Sequence, residues 1–198
     1  RPGGTVSTAR YTRLGSGGAD GILPLAKAVA LAVELGGGFV PNKTILAGFS
    51  AGGQGATTCL DHGDQPDAVV IADGWHCGSS VEAAMSAHLP IVPTEVPAAL
   101  RSRWEYTRAA RAGSRVLVAS HTQIVPPTYT STRRTLELLT GWRLATTEPI
   151  EHADGHLYVA SYGGADAEAH NEQSSPVFAQ LVRRALALLD ADLGTAVT

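Results

Sequence analysis

TILAGFSAGGQG, residues 44–55, decides the fold. An apolar run, Ile45-Leu46-Ala47, meets Gly48-Phe49-Ser50-Ala51-Gly52 and then two more glycines at 53 and 55. Apolar residues that end abruptly in glycines read as a buried strand stopping at a sharp turn. The small residues that follow read as a helix closing near Gly63. A serine two residues from a glycine on either side, between a strand and a helix, is the Gly-x-Ser-x-Gly arrangement. It holds a hydroxyl on strained backbone angles, and small neighbours let strand and helix pass closely. Gly53 and Gly55 are expected to relieve the crowding further.

Working outward, the chain repeats this pattern. DAVVIADG (67–74) and SRVLVAS (114–120) are further apolar runs without polar alternation, as expected of strands covered on both faces. DGILPLAKAVALAVEL (20–35), AALRSRWEYTRAARAG (98–113) and YTSTRRTLELLTG (129–141) have helical spacing. RLATTEPIE (143–151) and GHLYVASY (155–162) read as two extended pieces joined by a turn. The last helix is SPVFAQLVRRALALLDADL (175–193), with Ser175 as N-cap and Pro176 in the first helical position. Strands alternating with helices predict an α/β fold, a mostly parallel sheet with helices on both faces in three α/β/α layers. Residues 1–198 form one domain, with 1–18 irregular apart from a short strand in TVSTARY (5–11).

Composition narrows the function. The 198 residues are 44% hydrophobic, enough for one sizeable core, and the formal charge is −3. That charge argues against a nucleic-acid partner, which needs a concentrated basic surface. The densest basic stretch, Arg101, Arg103, Arg108 and Arg111, is interrupted by Glu105. No apolar run reaches the roughly 20 residues that span a bilayer. Cys59 and Cys77 are the only cysteines, open to one bridge or two free thiols. A metal at His76, Cys77 and His121 finds no support in ligand spacing. A nucleotide-binding reading of GFSAGGQG fails because the glycines fit neither GxGxxG nor GxxxxGK[ST].

In parallel sheets chemistry collects where strands end. Those positions hold Ser50, Asp73, His121 and, in the loop leaving the last strand, His170. A serine nucleophile needs a base, and the base an orienting acid. His62 and His88 read as surface residues, and His152 and His156 flank a turn at the far end of the last strand. His170 lies beyond YGGADAEA, which brings it back towards the strand ends. Asp73 follows VVIA directly, whereas SHTQIVPP (120–127) after the third strand carries no carboxylate.

With these pieces (GFSAGG, IADG and GGADAEAH, in that order) residues 44–190 resemble the α/β-hydrolase superfamily. The resemblance implies that Ser50 attacks an acyl carbon, His170 shuttles the proton and Asp73 steadies the imidazolium, with no cofactor. The Ala51 N–H would be one oxyanion donor. Phe49, Trp75, His76 and His121 are the expected substrate-binding side chains, and the substrate is a small-molecule or polymer ester, with an amide as the less favoured alternative. The chain departs from the family before residue 44, where neighbouring strands and a second oxyanion donor are expected. An exposed apolar edge is sticky. The edge near 44–49 is therefore expected to be covered by the N-terminal segment, upstream sequence or a partner chain. The same departure supports an alternative, an inactive hydrolase-like domain serving as a structural or binding module. Nothing in the sequence fixes the compartment.

Overall fold

A computed structural model describes residues 25–38, 40–86 and 96–195. The expected strand at 5–11, His88 and the prolines at 90 and 93 lie outside the described residues. In chain order the elements are α1 (Leu25–Leu35), β1 (Ile45–Phe49), α2 (Gly52–Asp61), β2 (Ala68–Ala72), α3 (Ser79–Ser86), α4 (Ala98–Arg111), β3 (Val116–His121), α5 (Thr132–Thr140), β4 (Ile150–Asp154), β5 (Leu157–Ser161), α6 (Ala167–Glu172) and α7 (Phe178–Thr195).

The five strands form one sheet in the order β1-β2-β3-β5-β4. The first four in that order run parallel, and β4 pairs antiparallel with β5 at one edge. This is an α/β fold built on a mostly parallel sheet. The hairpin β4–β5 matches the second extended piece expected from the sequence, but the first is displaced: β4 takes in His152–Asp154, expected in the turn, and 143–149 form no strand.

Alternate residues of the buried strands feed two cores. Val69, Ile71, Leu117, Ala119, Leu157 and Val159 pack with Ala56 and Leu60 of α2, Tyr106 and Ala110 of α4, and Leu136 and Leu139 of α5. Val70, Val116, Val118 and Tyr158 pack with Leu181, Ala185 and Leu189 of α7. Every residue of β2, β3 and β5 is buried, which is why these strands show no polar alternation. Helix ends follow local chemistry. The Ser131 hydroxyl accepts from the Arg134 N–H to start α5, and Gly141, with φ of 74°, ends it.

β1 differs from the other parallel strands. Only Gly48 in it is buried, and among the described residues its one strand neighbour is β2. α1, apolar in sequence, has no buried residue, and Leu31 and Leu35 are exposed. Residues 1–24, one of the three coverings expected for this edge, lie outside the described residues.

Three local expectations are corrected. α7 starts at Phe178, because Ser175 is extended (φ −171°, ψ 131°) and the helical turn before it is a separate piece. α3 and α6 lie in stretches read from the sequence as loops. Both are at most eight residues long, too short for a periodic signal.

Candidate functional site

Ser50 and Asp73 occupy equivalent positions on adjacent strands. Phe49 pairs with Ala72 in the parallel register, and the Ser50 N–H donates to the Ala72 carbonyl at 2.9 Å. Each strand then breaks in the same way: Ser50 has φ of 52° and Asp73 φ of 41°, the only positive values among the described non-glycine residues. Such angles are costly for residues with a Cβ and persist only where the surroundings enforce them.

The enforcement is steric. A Cβ on Gly48 would lie 2.5 Å from the Gly52 carbonyl carbon. One on Gly53 would lie 2.2 Å from the Gly74 carbonyl oxygen, and one on Gly74 2.5 Å from the Ser50 carbonyl oxygen. The two turns therefore pack backbone against backbone. Gly55 has no such role, since a Cβ there meets nothing within 4 Å.

His170 arrives from the other side of the sheet. Beyond β5, the Gln123 N–H donates to the Gly164 carbonyl at 2.7 Å and pins the outgoing loop. Asp166 caps α6 by accepting from the Ala169 N–H at 2.9 Å. The His170 ring then lies between the two turns. Its Nδ1 is 2.8 Å from Asp73 Oδ2 and its Nε2 2.9 Å from Ser50 Oγ. A carboxylate only accepts, so Nδ1 carries the proton and Nε2 accepts from the Ser50 hydroxyl. Hydroxyl, imidazole and carboxylate thus form one hydrogen-bonded series along which a proton can move.

Asp73 is buried, which on its own pushes its pKa up. Hydrogen bonds from His170 and from the Thr122 hydroxyl, the latter at 2.6 Å, outweigh burial and hold the carboxyl below its usual range. Both bonds reach Oδ2, and Oδ1 is buried without a partner. Sequence reasoning missed Thr122. Its signal was available, a hydroxyl directly after the third strand where a carboxylate was sought and not found.

The other expected site residues separate into two groups. The half-buried Phe49 ring lies 5.0 Å from the His170 ring, and His76 and Ala51 line a cavity of about 520 Å³ beside Ser50. Tyr129 closes part of that cavity, its ring 4.7 Å from that of His76. Burial pulls the His76 pKa down to about 4, so the ring is neutral at pH 7. Trp75 and His121, by contrast, are buried completely and do not line the cavity. Trp75 belongs to the core beneath the sheet. His121 Nδ1 donates to the Thr122 carbonyl at 3.0 Å and Nε2 accepts from the Ser161 hydroxyl at 2.8 Å, so both ring nitrogens are satisfied internally. A strand residue alternates faces, and one directly before a turn can point into the sheet's packing as readily as out of it.

Both cysteines are buried free thiols. Among the described residues no group of three His, Cys, Asp or Glu is placed to hold a metal ion, and no helix is long and apolar enough to cross a membrane. No protein-family model, curated protein or solved structure matches the chain.

Proposed function

We propose that the protein is a serine hydrolase acting on an ester, with Ser50, His170 and Asp73 as its catalytic triad on a three-layer fold of the α/β-hydrolase kind. The observation that carries this reading is the Ser50–His170–Asp73 series at 2.9 and 2.8 Å, with the serine in a left-handed backbone conformation. Ser50 Oγ attacks the carbonyl carbon of the substrate while His170 Nε2 takes its proton. Asp73, accepting from Nδ1, stabilises the imidazolium that results. The developing oxyanion is met by the N–H of Ala51, the N-cap of α2, where the helix dipole favours negative charge. His170 passes the proton to the departing alcohol, and water, activated by the same imidazole, releases the acid and restores Ser50. These steps call for no cofactor. His76 borders the space the substrate occupies, and Phe49 packs against the His170 ring.

The experiment is fluorophosphonate labelling of the purified chain beside Ser50→Ala. One adduct on the parent chain and none on the variant is the expected result, followed by Ser50-dependent cleavage of short-chain para-nitrophenyl esters. An unlabelled parent chain sinks the proposal. It would favour the second reading, a hydrolase-like module that binds rather than reacts, whose motivation is the apolar α1 without a buried residue and a β1 whose one strand neighbour among the described residues is β2.

A further inference from the structure

Arg103, in the second turn of α4, is 4% exposed and lines the same cavity as Ser50. Its Nη1 donates to the His76 carbonyl and its Nη2 to the Ala99 carbonyl, each at 2.7 Å. A guanidinium carries five N–H donors. The remaining three have no acceptor, and Nε–H is among them, buried and unpaired. No carboxylate among the described residues lies within ion-pair distance. Asp61, also on the cavity wall, is exposed, accepts from the Ser102 hydroxyl and acts on Arg103 only through space, as a Coulombic neighbour. A buried charge is costly unless an anion or polar groups replace its lost hydration. Two backbone carbonyls need only a neutral donor, so anchoring the loop at His76 does not explain a full positive charge here. His76 is neutral, which leaves Arg103 as the cation of this cavity among the described residues.

Resting on the serine-hydrolase reading, we propose that the cavity between α2, α4 and the Gly74–Gly78 loop binds an anionic part of the substrate, and that Arg103 is the specificity residue. The substrate class is then an ester that carries a free carboxylate on its acyl or its alcohol side. The guanidinium donates to the carboxylate through its unused N–H groups, and the Gln54 amide offers a further polar contact on the wall.

The test compares esters that differ only in that charge. Mono(para-nitrophenyl) adipate is set against para-nitrophenyl hexanoate for the acyl side, and para-acetoxybenzoate against its methyl ester for the alcohol side. In one of the pairs the parent chain should prefer the carboxylate in kcat/KM on the order of 10- to 100-fold, the worth of a charged hydrogen-bonded contact. Arg103→Met should abolish that ratio and Arg103→Lys retain part of it. Preference for the neutral ester in both pairs overturns the proposal, and this comparison needs no variant to fold. An Arg103→Met chain that loses both esters of a pair in equal proportion also overturns it, because a loop anchor alone would behave so. Binding to Ser50→Ala by calorimetry separates the two readings. If no ester is cleaved by the parent chain, the hydrolase reading fails, yet tighter binding of the carboxylate ester that Arg103→Met weakens tenfold or more still supports the subsite.

Discussion

Replacing Thr122 by valine removes one hydroxyl from a buried carboxylate and leaves the shape almost unchanged. The Thr122–Asp73 contact is 2.6 Å, both groups are buried, and the acceptor carries charge. Such a bond contributes about 1.5–3 kcal/mol, against about 1 kcal/mol when the carboxyl is neutral. Asp73 has a folded pKa below its unfolded value. Its contribution to stability is therefore present above the unfolded value of 3.8 and is lost as pH falls through the folded one. In Thr122→Val the folded pKa rises, because the anion loses a stronger hydrogen bond than the neutral acid does. The stability gap between parent and variant is then about 1.5–3 kcal/mol at pH 7 and shrinks towards about 1 kcal/mol as pH falls through the folded pKa of Asp73. With a urea m-value of about 2 kcal/mol/M, the neutral-pH midpoint moves by about 1 M. Urea titrations from neutral pH down through the acid range until the carboxyl is protonated, with Thr122→Ser beside Thr122→Val, measure this. The serine variant keeps the hydroxyl, so its smaller loss should not vary with pH. The weak donation from Ile124 N–H to the Thr122 hydroxyl, at 3.5 Å, adds only a pH-independent part. A gap in Thr122→Val that stays constant across the range refutes the reasoning, since it would mean that the hydroxyl packs against Asp73 without stabilising its charge.

Four further outcomes are expected. Gly53→Ala, whose Cβ would sit 2.2 Å from the Gly74 carbonyl oxygen, should cost about 3 kcal/mol, whereas Gly55→Ala in open space should gain about 0.5–1 kcal/mol; equal effects in chemical denaturation would contradict the packing of the two turns. Asp73→Asn should lower kcat for a para-nitrophenyl ester by about 10⁴-fold, and a loss under tenfold would remove Asp73 from the triad. By NMR the His76 ring should titrate with a midpoint near 4, and a midpoint near 6.5 would show that it is solvated. In hydrogen exchange on the isolated chain, the amides of Ile45–Phe49 should exchange slowly if the β1 edge is covered, and rapid exchange would overturn that expectation.

The sequence made three of the four parallel strands legible because β2, β3 and β5 are buried on both faces, and a largely apolar run has few other uses, while β1 was marked by the glycines that end it. Ser50, Asp73 and His170 were legible for a different reason: each follows a strand, and the parallel topology brings strand ends together. Side-chain direction was not legible. Trp75 and His121 lie as near the strand ends as His76 does, yet a single step along the chain turns a residue from cavity to core. Nor was Arg103 legible as a buried cation. The stretch around it reads as a solvated basic helix face, but residue 103 falls on the inward side with Leu100, Tyr106, Thr107 and Ala110.

The site explains why the carboxylate sits after β2. Adjacent strands lie about 4.8 Å apart, so ends one strand apart can both be reached by one imidazole, which offers its two nitrogens on opposite edges. Ser50 and Asp73 leave the sheet at matching register, and Gly53 and Gly74 let their turns touch without intervening side chains. An acid after β3 would stand a further strand away from Ser50. In its place that position holds Thr122, which donates to the Asp73 carboxylate, while the backbone of β3 receives the Asp73 N–H at the Ser120 carbonyl, at 2.9 Å. The third strand therefore acts on Ser50 indirectly, by fixing the group that fixes His170. Changes in β3 that spare Thr122 and Ser120 should alter stability first, whereas changes at Thr122 should alter the ionisation of Asp73.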